Sequence, residues 1–83
     1  MPERMAPYGW MNDGRTLTHE WQVRDFSAAV VLAAAIAQAA NSLNHHPDLR
    51  VEYGRVVASI TTHEAGRSLT NKDFDLAERL ASL

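Results

Sequence analysis

The side chains able to do chemistry here are three histidines. His45 and His46 are adjacent, and His63 follows seventeen residues after the second. Imidazole gives or takes a proton near neutral pH. Three of them meeting at one place suit an elimination, in which one proton goes to a leaving hydroxyl and another is removed from the substrate. A positioned acid or base contributes about 10²–10⁴-fold to such a step. A metal site is the competing chemistry. It is disfavoured because neighbouring residues on an extended segment point to opposite sides, and the chain has no cysteine. No metal is expected, and no cofactor, since no Gly-rich phosphate loop is present. The plain structural alternative gives His45 and His46 to the end of a helix, where positive charge is favourable, and His63 to the polar face of a strand.

A hairpin is the element that would bring these residues together. Residues 44–63 read NHHPDLRVEYGRVVASITTH. Placing Gly54 and Arg55 at the turn, as a Gly-X type II′ turn prefers, pairs Tyr53 with Val56, Val51 with Ala58, Leu49 with Ile60 and His46 with His63. Alternation then puts Leu49, Val51, Tyr53, Val56, Ala58 and Ile60 on a core face. His46, Asp48, Arg50, Glu52, Val57, Ser59, Thr61 and His63 fall on a mostly polar one. Directly paired residues have Cβ atoms roughly 4.5–5.5 Å apart. Pro47 suits the start of a strand.

The remaining elements follow in order. Residues 1–8 contain proline and lack periodicity, so a flexible start is expected, with a single domain over 9–83. A first strand at 9–12 is anchored by Trp10, and Asp13 with Gly14 signals a type I′ hairpin turn into a second strand at 15–23. His19 lies among Leu17, Trp21 and Val23, as a partly buried packing residue. Asp25 or Ser27 can start an alanine-rich helix. Phe26, Val30, Ala33, Ala37 and Ala40 form its expected buried face, widened by Ala29, Ile36 and Leu43. After the hairpin, Thr70 is a helix N-cap with Asp73 at the capping-box position, and Leu69 and Phe74 can form a hydrophobic staple. Asp73 thus has a structural role available whether or not it has a chemical one. The order ββαββα predicts an α+β domain, a four-stranded antiparallel sheet with two helices on one face.

Composition narrows the function. A chain of 83 residues is one small domain near the limit of independent stability. Without disulfides, self-association is the usual source of further buried surface, through helix faces or an open sheet edge. A formal charge of −2 with no basic cluster argues against a nucleic-acid partner. The longest apolar run is ten residues, at 28–37, where a span needs about 20. The expectation is therefore no membrane and a cytoplasmic location.

The sequence resembles the pterin-4a-carbinolamine dehydratases. The matching pieces are NHHPD at 44–48, Tyr53, THEAG at 62–66, LTNKDFDLA at 69–77, and the upstream Trp21, Phe26 and Ala29. The resemblance implies dehydration of a 4a-hydroxytetrahydropterin to the quinonoid dihydropterin, which regenerates the cofactor of aromatic amino acid hydroxylases. It implies His45 and His63 as acids on the leaving hydroxyl, with His46 in substrate binding and proton removal at N5. Asp73, Asn41, Thr61 and Thr62 enter as substrate-binding or supporting residues. It further implies a homodimer or homotetramer and a functional link to such a hydroxylase. Relatives of this fold also act without catalysis, as a transcriptional dimerisation cofactor or as enzyme-assembly factors, and these can lack the histidines. Three departures stand out: Asn41 occupies a position usually acidic, Leu49 one that is often aromatic, and the loop around Arg67 and Ser68 is about one residue longer than usual.

Overall fold

The computed structural model describes residues 4–83. Two short hairpins and two helices follow the order β1 (Met11–Asn12), β2 (Leu17–Gln22), α1 (Phe26–Leu43), β3 (Asp48–Glu52), β4 (Arg55–Ile60) and α2 (Asn71–Ala81), with a single 3-10 turn at His63–Ala65. The four strands form one antiparallel sheet in the order β1-β2-β4-β3. This is the α+β arrangement the sequence predicts. The second hairpin thus docks β4 against β2, from Leu17 opposite Ile60 to Gln22 opposite Arg55. Leu17, Val56, Ala58 and Ile60 are fully buried beneath the helices. α1 lies over β3 and β4, and α2 packs against α1 and β2. Ile36, Leu76 and Leu80 complete the centre of the core.

The second hairpin differs in register from the expectation. Val51 faces Val56 and Leu49 faces Ala58, so the turn residues are Tyr53 and Gly54. Gly54 has φ 83° and takes the second central position, where a positive φ calls for glycine. The offset moves each partner by two residues, and side-chain alternation is preserved. Leu49 and Val51 still face the core. Tyr53, expected there, is 77% exposed in the turn. The ladder ends at Asp48 and Ser59, so His46 and His63 are not cross-strand partners.

The first hairpin also turns differently. Asn12 faces Leu17 across a four-residue loop, and Gly14, with φ 92°, is its only residue with positive φ. Asp13 holds the loop with its side chain: Oδ1 accepts from Arg15 N at 2.9 Å and from Thr16 N at 2.8 Å. His19 is half-buried as expected. It stacks on Trp10, sits edge-on to Trp21, and its Nδ1 is 2.9 Å from the Gly9 carbonyl oxygen.

Asp25 caps α1, its Oδ1 accepting from Ala28 N at 2.9 Å. The buried side of α1 is Ala29, Ile36, Ala39 and Ala40, while Phe26, Val30 and Val31 are 51%, 47% and 70% exposed. The expected face is rotated because this helix is apolar around most of its circumference, and periodicity alone cannot select among apolar sides. α1 is long and apolar enough to cross a membrane by length and composition, yet one side is packed onto the sheet. Of the segment expected to be a flexible start, residues 1–3 lie outside the described residues. Arg4 bonds to Asp75 and Glu78 at 2.9 Å each and lies over the Phe74 ring.

The N–H groups of Arg15 and Thr16 hold the Asp13 carboxyl below its ordinary value. Its contribution to stability is therefore complete above that ordinary value and is lost as pH falls through the lowered one. Asp13→Ala should be less stable than wild type at neutral pH, and the gap should close below about pH 4. Urea midpoints across that range test this.

Candidate functional site

The site begins where α1 stops. Asn44 adopts the left-handed conformation, φ 52° and ψ 40°, which asparagine tolerates better than most residues. The chain reverses, His45 N donates to the Ala40 carbonyl at 3.1 Å, and the two histidines leave the helix end in different directions. His45 turns inward and is 8% exposed, while His46 stays at the surface.

His45 meets the start of α2. Its Nε2 is 2.7 Å from Oδ1 of Asp73, a residue with no exposed surface. The other carboxylate oxygen, Oδ2, accepts from Thr62 Oγ1 and from Thr70 N, each at 2.7 Å. Thr70 Oγ1 is 2.8 Å from Thr62 Oγ1; with the single Thr62 proton given to Asp73, the Thr70 hydroxyl donates. Thr70 and Asp73 form the capping box expected from sequence, and Leu69 and Phe74 both pack into the core. One carboxylate therefore caps a helix and orients a histidine. A buried carboxylate needs such donors to offset its desolvation.

His46 is held differently. Its Nε2 is 3.0 Å from Oδ1 of Asn41, one turn back on α1. Both ring Nε2 atoms thus face oxygen acceptors and carry the proton. This leaves Nδ1 of each ring as the nitrogen free to exchange one. An imidazolium at His45 has a carboxylate counter-charge; one at His46 has only an amide.

His63 arrives from the opposite side. β4 ends at Ile60, Thr61 Oγ1 donates to the Arg15 carbonyl at 2.6 Å, and Thr62 bridges to Ser68. His63 opens the 3-10 turn, whose end carries two successive left-handed residues, Gly66 at φ 71° and Arg67 at φ 61°. The three histidines, Thr61, Asn44 and Glu64 line one cavity of about 200 Å³. The structure thus brings His45, His46, His63 and Thr61 together around one opening. Asn41 stands behind His46, and Thr62 and Asp73 stand behind His45. They converge through helix ends and loops rather than along the ladder. Asn44 and Glu64 are lining residues to which the sequence reading gave no role, although both fall inside the matching pieces NHHPD and THEAG. Among the described residues, no group of three or more His, Cys, Asp or Glu side chains is placed to hold a metal ion.

A four-stranded α+β domain with a histidine-lined cavity at the joined ends of its helices defines the class. The family model described as pterin 4 alpha carbinolamine dehydratase matches residues 2–83, and the chain belongs to that family. Curated relatives provisionally named pterin-4-alpha-carbinolamine dehydratases include one from Trichormus variabilis, 36% identical over 75 residues, covering 90% of this chain and 80% of the relative. Another, from Saccharolobus solfataricus, is 37% identical over 83 residues, covering 98% of this chain and 84% of the relative. The crystal structure of a transcriptional coactivator/pterin dehydratase from Brucella melitensis aligns with a TM-score of 0.78 at 32% identity, covering 90% of this chain and 81% of that one.

Two stability outcomes follow from the geometry. Thr62→Val keeps the volume but leaves the Asp73 carboxylate short of a donor, and should cost about 1–3 kcal/mol in urea unfolding. Arg67→Gly relieves a left-handed side-chain residue and should gain up to about 1 kcal/mol, net of the flexibility glycine adds to the unfolded chain.

Proposed function

We propose that this protein dehydrates a 4a-hydroxytetrahydropterin to the quinonoid dihydropterin, and that His45, His46 and His63 carry the proton transfers. The observation that carries this reading is the convergence of all three imidazoles on one cavity in a chain of the dehydratase family. The reaction breaks the C4a–O bond, with a proton delivered to the departing hydroxyl so that it leaves as water. The N5 proton is removed, and its bonding pair becomes the C4a=N5 double bond. Two protonic roles are required, and no oxidant or reductant is.

The local partners suit a division of labour. His45, with Asp73 on Nε2, can present Nδ1–H toward the hydroxyl with a counter-charge behind it. His46, backed by the neutral Asn41 amide, keeps Nδ1 as an acceptor for the N5 proton. His63 stands across the cavity as the second donor to the hydroxyl. Asp73, Thr62 and Asn41 act through the histidines they hold; Thr61 lines the cavity and positions the strand end. Asn41 supplies the acceptor, without the charge, at the position where the family usually has an acid.

In this reading the protein recycles the pterin cofactor of an aromatic amino acid hydroxylase, in the cytoplasm and without a cofactor of its own. The exposed apolar residues on α1, Phe26, Val30 and Val31, support a homodimer or homotetramer. The Brucella protein is also described as a transcriptional coactivator, so a binding role is the second reading.

Dehydration of a 4a-hydroxytetrahydropterin generated in situ tests the proposal. Wild type should act well above background. His45→Ala or His63→Ala should lower turnover by about 10²–10⁴-fold, and His46→Ala should raise KM as well. Full activity in all three variants defeats the histidine mechanism. A folded wild type with no activity moves the binding role ahead.

A further inference from the structure

One residue beside the cavity is held against its own preference. Arg67 has φ 61°, a left-handed conformation that side chains other than Asn and Asp rarely adopt. Its backbone N–H donates to the Thr62 carbonyl at 3.1 Å. Thr62 lies between Thr61 and His63, and both of those line the opening. The same turn is closed by the bridge from Thr62 to Ser68, so Arg67 is fixed to the cavity wall through its backbone. Strain kept next to a site points to a use for the strained residue. Arg67 is exposed, and its guanidinium joins none of the ion pairs formed among the described residues. It is the one Lys or Arg between β4 and α2, and neither residue type lines the cavity itself.

The cavity, at about 200 Å³, is smaller than the roughly 300–1,000 Å³ of pockets that enclose a whole ligand of drug size. Part of a substituted pterin must therefore stay outside it. In a pterin, C6 is bonded to N5, so a C6 substituent leaves the ring beside the reacting edge that the histidines frame. An anion has no favourable place inside, next to the Glu64 carboxylate. Outside, the permanent cation on this wall is Arg67. Resting on the dehydratase reading, we propose that Arg67 reads the charge of the C6 substituent, so that the preferred substrates are pterins carrying an anionic group there. Arg67 moves no proton in this scheme, and being exposed it can be replaced without disturbing the core.

The test uses two fluorescent pterins that differ only at C6, 6-carboxypterin and 6-hydroxymethylpterin, titrated onto wild type, Arg67→Asn and Arg67→Lys. Wild type should bind the carboxylate about two- to fivefold more tightly, the size expected of an exposed ion pair, and the preference should fade as salt is raised. Arg67→Asn tolerates the left-handed turn but removes the charge, and should lose the preference. Arg67→Lys should keep it. Turnover of a neutral 6-methyl carbinolamine should be unchanged in Arg67→Asn. An Arg67→Asn protein that keeps the wild-type preference overturns the proposal while leaving the dehydratase reading standing. So does a wild type that binds both pterins equally, or an Arg67→Asn protein that loses turnover of the neutral substrate. A wild type that binds neither pterin defeats both.

Discussion

A carboxylate with no access to water must have its lone pairs answered by donors, or it costs several kcal/mol to keep in place. Asp73 meets that requirement by drawing on three separate chain terminations, of which only the one at His45 is distant in sequence. The ring of His45 comes from the end of α1, the hydroxyl of Thr62 from just past β4, and the backbone N–H of Thr70 from the start of α2. Each of those stretches is fixed by its own local rule: a left-handed asparagine, the end of a strand, a capping box. The carboxylate turns three local terminations into one junction. The junction lies beside the histidine-lined cavity, and its hydrogen bonds set which nitrogen of His45 is free.

The same logic explains why the sheet matters to the site although no ladder pair belongs to it. Docking of β4 on β2, with Leu17 and Ile60 buried opposite each other, fixes where β4 ends and therefore where Thr61, Thr62 and His63 emerge. Packing of α1 over β3 and β4 fixes where its C-terminus delivers His45 and His46. The sheet is a ruler between two chain exits.

Much of this was legible in the residues. The alternation of Leu49, Val51, Val56, Ala58 and Ile60 marked a core face whatever the register, and the Thr70–Asp73 spacing marked the helix start. The histidine types and spacing pointed to one site. The register itself was not legible, because a glycine next to a permissive residue can take either central position of a two-residue turn. Choosing the first position in place of the second shifted every partner by two. The buried side of α1 was not legible either: with alanine and valine around most of the helix, the sheet decides which side is covered. The Asp73–His45 contact joins residues 28 apart in sequence, and no local pattern announces such a pair. Glu64 and Asn44 were hidden for the opposite reason, as ordinary polar residues in a loop and at a helix end.

His45 and Asp73 are locked into the fold, whereas His46 and His63 are exposed. The two surface imidazoles can be lost without orphaning a buried group, and the two buried partners cannot be lost singly without doing so. The site therefore has a part the fold requires and a part it does not. A lineage relieved of selection for catalysis can shed the surface histidines one at a time and still inherit an intact domain, with its sheet edge and helix faces available for other uses. In such a descendant a surviving His45 and Asp73 would testify to folding alone.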